Sequence, residues 1–223
     1  MYKSPNKQTI GFIRHRLIGW GKRNYRKLPW RHTKSKFHAL IAEILLQRTK
    51  ADQVLPVYKV FIAKYKTSDS LYSARLAEIK KTIKSLGLLW RAGLIKKLAV
   101  ALSKGKNIAC DYHELLKLPA VGPYVASAFL SFHCNKFRSI IDSNVVRLYG
   151  RLFGIKTGPE SRRAKIMSDL ANLMTPQKAF KAYNYAVLDH TAAICVSKPR
   201  CEICPIKKEC KYYFRRGGYY GKK

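Results

Sequence analysis

Apolar side chains recur along this chain at the spacing of amphipathic helices. Between Phe37 and Leu45 they occupy positions i, i+3, i+4, i+7 and i+8, which lie on one face of a helix. The same spacing is found in four further stretches, Leu94–Leu102, Val125–Phe132, Val145–Phe153 and Ile166–Leu173. No alternation of Val, Ile and Thr typical of strands continues for more than a few residues. The pattern predicts an all-α fold of about ten short helices.

The chain is also strongly basic. Its 223 residues include 45 Lys and Arg but only 12 Asp and Glu, which gives a net charge of +33. Because 47% of the residues are hydrophobic, a disordered basic tail is excluded, and nucleic acid is the expected partner of so basic a fold. No stretch approaches the ~18 uninterrupted apolar residues of a membrane span. The N-terminal segment has no apolar core followed by a cleavage site, so we expect an intracellular protein without a membrane partner.

Four of the six cysteines form a group with the spacing C-x5-C-x2-C-x5-C. They are Cys195, Cys201, Cys204 and Cys210. In a reducing compartment such a group is more typical of a metal site than of disulfides, and thiolates select zinc or an iron–sulfur cluster. The single CxxC pair favours a cluster such as [4Fe–4S] and leaves zinc as the alternative. The two isolated cysteines, Cys110 and Cys134, are expected to be small buried apolar residues.

Two carboxylates stand alone among basic residues. Glu43 is the only acid in residues 1–51, which carry thirteen Lys and Arg, and Asp142 is the only acid between Glu114 and Glu160. An ordinary salt bridge or helix cap would explain either of them. Asp142 is expected to begin a helix, where the backbone dipole favours the ionised carboxylate. Such a charge would suit a reaction in which a neighbouring cation develops.

The segment Leu116–Ala126 reads LKLPAVGPYVA and is expected to form a hairpin of small residues that enters a helix. Such a hairpin presents backbone N–H groups to phosphates. Together with the aspartate 20 residues after Gly122 and with the cysteine group, it resembles the helix–hairpin–helix (HhH-GPD) base-excision DNA glycosylases. The resemblance extends upstream through Leu28–Arg31 and Glu43–Thr49.

The resemblance implies a monomer of two helical lobes with a [4Fe–4S] cofactor. Its implied partner is duplex DNA that contains a mismatched or damaged base. A six-helix barrel would span residues 28–137, with the helix–hairpin–helix at about 113–128. Residues 1–27 and 138–223 would form the second lobe, with the cluster loop at 195–210. The four grouped cysteines would be the cluster ligands.

The resemblance also implies roles for single residues. Asp142 would be the catalytic carboxylate, Glu43 would contact the base or assist water, and Tyr124 would contact the flipped nucleotide. Among the implied DNA contacts, Arg48 would fill the gap left by that nucleotide and Leu88 would insert into the duplex as a wedge. Contacts from the hairpin would come from Leu118, Ala120 and Gly122. Arg48 could instead contact phosphate or solvent, and at least one of Leu88 and Leu89 is expected in the core. The family usually has Gly at position 120 and one more residue in the first cysteine interval.

The residue at position 124 distinguishes the chemistries within the family. Lyase members resembling endonuclease III have Lys there, and the MutY-type adenine glycosylases that act on A/G mismatches usually have Ser. Tyr124, with Pro29–Thr33 and Glu43, is most similar to the Mig-type thymine glycosylases of T/G mismatches. We therefore expect a monofunctional glycosylase for thymine or uracil opposite guanine. The alternatives are an A/G-mismatch adenine glycosylase and a non-catalytic DNA-binding protein with a zinc site.

Overall fold

The protein is described by a computed structural model that covers residues 4–217. This part of the chain contains helices and no strand, which confirms the all-α prediction. No helix within it is long and apolar enough to cross a membrane. The chain divides into two compact units, a central unit, Lys27–Lys136, and a terminal unit made of Met1–Arg26 and Phe137–Lys223.

The central unit contains seven of the α-helices in the described chain. They are α2 (Lys36–Leu45), α3 (Ala51–Lys64), α4 (Ser68–Ser73), α5 (Leu76–Ile83), α6 (Arg91–Leu102), α7 (Tyr112–Leu116) and α8 (Pro123–His133), with 3₁₀ turns at Pro29–Arg31 and Lys84–Leu86. The apolar face predicted between Phe37 and Leu45 is α2, and it is buried in the core of this unit. Ser35 begins α2 by accepting a hydrogen bond from the backbone N–H of His38, and α2 packs against α8 and α3.

The terminal unit joins both ends of the chain. Its helices are α1 (Lys7–Arg23), α9 (Ser143–Phe153), α10 (Lys165–Met174), α11 (Phe180–Ala193) and α12 (Lys211–Arg215), with 3₁₀ turns at Pro159–Arg162, Cys201–Ile203 and Lys207–Glu209. Helix α1 packs along α11, which brings N-terminal and C-terminal parts of the described chain together. A Cβ at Gly21 would lie 2.5 Å from the Cβ of Ala186, so glycine permits this close approach of the two helices.

A disulfide joins Cys110 to Cys134. The expectation that both are isolated, small buried apolar residues is therefore wrong. Cys110 precedes α7 and Cys134 is the C-cap directly after α8, so the bond connects the two ends of the α7–hairpin–α8 segment. The expectation of a reducing environment had argued against such a pair, and sequence spacing gives no sign that the two ends meet.

Candidate active site and nucleic-acid interface

The hairpin connects α7 to α8 through residues 117–122. Gly122 is the N-cap of α8 and Pro123 its first residue, where a missing N–H costs nothing because the first N–H groups of a helix have no partner within it. A Cβ built on Gly122 would meet no atom within 4 Å. Leu118 is half-buried, packs against the core, and begins the turn by accepting a hydrogen bond from the N–H of Val121. The helix start therefore presents an open surface on which a phosphate could lie.

Three of the residues expected to contact DNA have left-handed backbone. Arg48, Leu88 and Ala120 have φ values of 56°, 50° and 67°. This region of backbone conformation costs energy for residues other than glycine, and residues held in it tend to cluster at functional sites. The Cβ of Ala120 is thus accommodated at a position that favours glycine. All three residues lie in the central unit.

A buried arginine connects the segments that carry Arg48 and Leu88. Arg91 begins α6 directly after the Leu88 turn and is 2% exposed. Its guanidinium donates to the carbonyl of Leu45 at 2.9 Å, to the carbonyl of Gln47, and to the hydroxyl of Thr49 at 3.1 Å. Burial, followed by the charge of Arg48, lowers the pKa of Arg91. Arg91 therefore holds the residues on both sides of Arg48.

Gln47 extends this connection to the hairpin. Its side-chain amide donates to the carbonyl of Ala120 at 3.0 Å. The three segments with left-handed residues are thus linked by hydrogen bonds through Arg91 and Gln47. Sequence analysis missed both residues, because each acts on a partner more than 40 residues away.

The turn before α6 exposes three large apolar side chains in succession. Leu88, Leu89 and Trp90 are 36%, 41% and 55% exposed. The expectation that Leu88 or Leu89 lies in the core is therefore wrong. Gly87 enters the turn with φ of 68°, and the left-handed Leu88 that follows directs the chain outward before α6 begins. An exposed apolar group on a basic protein suits insertion between bases.

Glu43 lies within α2 and is 3% exposed. One carboxylate oxygen, Oε1, is 3.6 Å from Nε2 of His133 at the end of α8. Tyr124, the second residue of α8, is half-buried and packs against the core of the same unit. The histidine was not identified from sequence.

Asp142 is the N-cap of α9 in the terminal unit. One of its carboxylate oxygens accepts a hydrogen bond from the backbone N–H of Val145 at 2.7 Å, and the other accepts from the amide of Asn144 at 2.8 Å. The predicted helix start is therefore present, and the ionised carboxylate is favoured there by the helix dipole.

The four grouped cysteines line one cavity of the terminal unit. Cys195 is buried and Cys201, Cys204 and Cys210 are partly buried, and all four are free thiols. Burial raises the pKa of the Cys204 thiol to about 12, which marks this sulfur as enclosed. In the described part of the chain, no three His, Cys, Asp or Glu side chains are arranged to hold a single metal ion.

Two further side chains contact these sulfurs. Nη1 of Arg151 donates to Sγ of Cys195 at 3.5 Å, and Nε2 of His190 lies 3.4 Å from Sγ of Cys204. His190 is fully buried against Trp20, and burial lowers its pKa to about 4. The cysteine cavity thus contains a guanidinium N–H able to stabilise negative charge on sulfur.

Comparison with known proteins supports the resemblance inferred from the motifs. A family model described as HhH-GPD superfamily base excision DNA repair protein matches residues 41–176. The thymine/uracil-DNA glycosylase of Methanothermobacter thermautotrophicus is 34% identical over 217 residues, which cover 96% of this chain and 98% of the relative. A similarly named protein of Pyrobaculum aerophilum is 35% identical over 215 residues, covering 92% of this chain and 93% of the relative.

A solved structure of a thermostable thymine-DNA glycosylase is also similar. It superposes with a TM-score of 0.84 at 32% sequence identity, over 93% of this chain and 98% of that chain. The helical fold, the hairpin and the extent of these matches lead to one conclusion. The chain belongs to the HhH-GPD superfamily of base excision DNA repair proteins.

Proposed function

We propose that this protein is a monofunctional DNA glycosylase that hydrolyses the N-glycosidic bond of thymine or uracil opposite guanine. The observation that carries the proposal is identity of 34% to a thymine/uracil-DNA glycosylase over nearly the whole of both chains. The net charge of +33 and the open hairpin suit a duplex DNA substrate. In this proposal the enzyme acts as a monomer on DNA inside the cell.

The first step is extrusion of the mismatched nucleotide. Flipping costs a few kcal/mol and costs least for a badly paired base, which already favours mismatches. Leu88 would enter the stack and Arg48 would occupy the vacated position, while Gly122 and its neighbours contact phosphate. The links through Arg91 and Gln47 would hold these three segments in register.

The second step breaks the bond between C1′ of the sugar and N1 of the pyrimidine. The electron pair leaves with the base, and the sugar acquires oxocarbenium character. The carboxylate of Asp142 would stabilise that charge and orient the attacking water. Water adds to C1′ and loses its proton, and the departing base gains one. Glu43 would contact the base edge in this step.

Position 124 carries a phenol rather than an amine that could serve strand cleavage. Lyase chemistry needs an amine that forms a Schiff base with the sugar, and a phenol such as that of Tyr124 cannot form one. Lys117, at the start of the hairpin segment, is engaged with Glu114 at 2.6 Å. The expected product is therefore an abasic site in an unbroken strand.

The four cysteines would hold a [4Fe–4S] cluster. They are free and they line one cavity. An N–H of Arg151 and Nε2 of His190 reach two of the sulfurs. A cluster bound there would cross-link residues 195–210 and so fix the loop that carries them. Anaerobically purified protein should contain about four iron atoms per chain. Stoichiometric zinc without iron, after expression with ample iron, would exclude the cluster.

The test of function is a base-release assay on matched duplexes containing T·G, U·G, A·G and 8-oxoguanine·A pairs. We expect release of thymine and uracil, with strand breaks only after alkali, and little covalent trapping by borohydride. Release of adenine alone would support the adenine-glycosylase alternative. Binding without any release would support a non-catalytic DNA-binding protein.

A further inference from the structure

Glu43 is a buried carboxylate that faces a histidine. Its side chain is 4% exposed, and that of His133 is 6% exposed. A carboxylate buried to this extent is costly unless a donor or an opposite charge compensates it. The group that faces it is Nε2 of His133, 3.6 Å from Oε1.

The position of the histidine ring is fixed by packing. His133 is the last residue of α8, which packs against α2. Its ring centroid lies 5.7 Å from that of Phe129 and 6.4 Å from that of Phe132. The next residue, Cys134, is bonded to Cys110, which tethers this end of the helix. The imidazole is thus held on the side of α8 that faces Glu43.

The side chains of His133 and Glu43 are close but do not form a hydrogen bond in this structure. Nε2 of His133 is buried and has no hydrogen-bond partner, and 3.6 Å is a few tenths of an ångström beyond hydrogen-bond distance. Buried polar atoms are nearly always satisfied, so an unsatisfied one needs an explanation. Hydrogen bonds of catalytic groups are often long in the free enzyme and shorten in the substrate complex.

We propose that His133 is a positioning residue for Glu43. Nε2–H of the imidazole donates to Oε1 and fixes the carboxylate, so that the second oxygen is available to the flipped base. The inference rests on the proposed function, in which Glu43 contacts that base. It adds a residue from α8 to the groups proposed to act on the base and explains why a polar ring is buried beside Phe129 and Phe132.

A double-mutant cycle tests whether His133 acts through Glu43. The variants are His133→Leu, which removes the donor, His133→Gln, which keeps an N–H donor, and Glu43→Gln, alone and combined with His133→Leu. The readouts are single-turnover release of thymine from a T·G duplex, Kd for that duplex, and Tm. Removing one partner of a buried pair usually destabilises the fold, so Tm is measured for every variant and rates are compared well below the lowest Tm. His133→Gln, which keeps a donor, separates the effect on folding from the effect on rate.

We expect His133→Leu to slow base release by about tenfold or more while Kd is retained, because misplacing a reacting group has effects of this size. It should also lower Tm, because the buried carboxylate of Glu43 loses the group that faces it. His133→Gln should recover most of the rate. In the Glu43→Gln background, His133→Leu should have no further effect. His38→Leu is the matched control, since His38 lies on α2 but pairs with the carbonyl of Tyr65, and its rate should equal that of the wild type.

Three results would overturn the inference. They are a rate for His133→Leu within twofold of the wild type, an equal loss in the Glu43→Gln background, and a Glu43→Gln variant as fast as the wild type. A second readout does not depend on activity. Imidazole ¹H–¹⁵N spectra should show a protonated Nε2 in His133 whose resonance moves in Glu43→Gln, and an unprotonated Nε2 would exclude the pairing. If the wild type releases no base but this signature is present, the proposed function fails and the pairing stands.

Discussion

Asp142 serves the fold as well as the proposed reaction. One oxygen caps α9 through the N–H of Val145 and the other accepts from Asn144. Two donors therefore orient the carboxylate without a cationic side chain among its hydrogen-bond partners. Asp142→Asn can separate the capping role from the role in the reaction, because asparagine retains an oxygen for the cap but carries no charge.

We predict that Asp142→Asn retains folding and mismatch binding but that its rate of base release falls by about 10²-fold or more. Single-turnover release on a T·G duplex measures the loss, and Tm reports the cap. Asp142→Ala is the control, since it should lose activity and also about 1 kcal/mol of stability with the cap. Near-normal release by Asp142→Asn would remove Asp142 from the mechanism.

The sequence identified candidate residues by type and isolation but could not identify their partners. Glu43 and Asp142 stand out because acids are rare around them. Arg91 and His133 do not stand out, since one is a basic residue among many and the other a histidine at the end of an apolar helix. Their contacts with residues 45–49 and with Glu43 depend on how separate helices pack. Periodicity within one helix contains no information on that packing.

Among the elements, helices were the most predictable. The face from Phe37 to Leu45 is buried as α2 because its apolar spacing matches the helical repeat. The turn before α6 was less predictable. Leu88 and Leu89 are apolar, which favours burial, but the left-handed residues at 87 and 88 direct them to the surface. The residue roles and the two-lobe boundaries inferred from the resemblance stay predictions.

The hairpin gives a prediction about strain. Ala120 has φ of 67°, a conformation that costs a non-glycine residue about 1–2 kcal/mol. Glycine would remove that cost, although its greater conformational freedom in the unfolded chain lowers the free energy of unfolding by about 0.4–1 kcal/mol. We therefore predict that Ala120→Gly raises the free energy of unfolding by about 0.5–1 kcal/mol, measured by denaturant titration.

The matched control for this prediction is Ala63→Gly, the same change at an exposed position in α3. There it should lower the free energy of unfolding by about 0.5–1 kcal/mol, because glycine is unfavourable within a helix. Opposite signs for the two substitutions would support the strain at Ala120. Destabilisation of similar size at both positions would contradict it.

At the scale of the whole molecule, the net charge of +33 governs encounters with DNA. Each phosphate neutralised by Lys or Arg releases counterions, so affinity for an undamaged duplex should fall by about a thousandfold or more between ~50 and 200 mM salt. Fluorescence anisotropy at several salt concentrations measures the slope of log K against log[salt]. A nearly flat plot would show that phosphates do not dominate binding.

The bond between Cys110 and Cys134 makes the hairpin part of a covalent ring. Lys117 is an exposed site for trypsin within that ring. A cut after it would open one peptide bond without releasing either piece, so the nicked chain would run as one species until a reductant separates two fragments. The segment proposed to hold DNA would therefore stay attached to the rest of the enzyme after its own backbone had been cleaved.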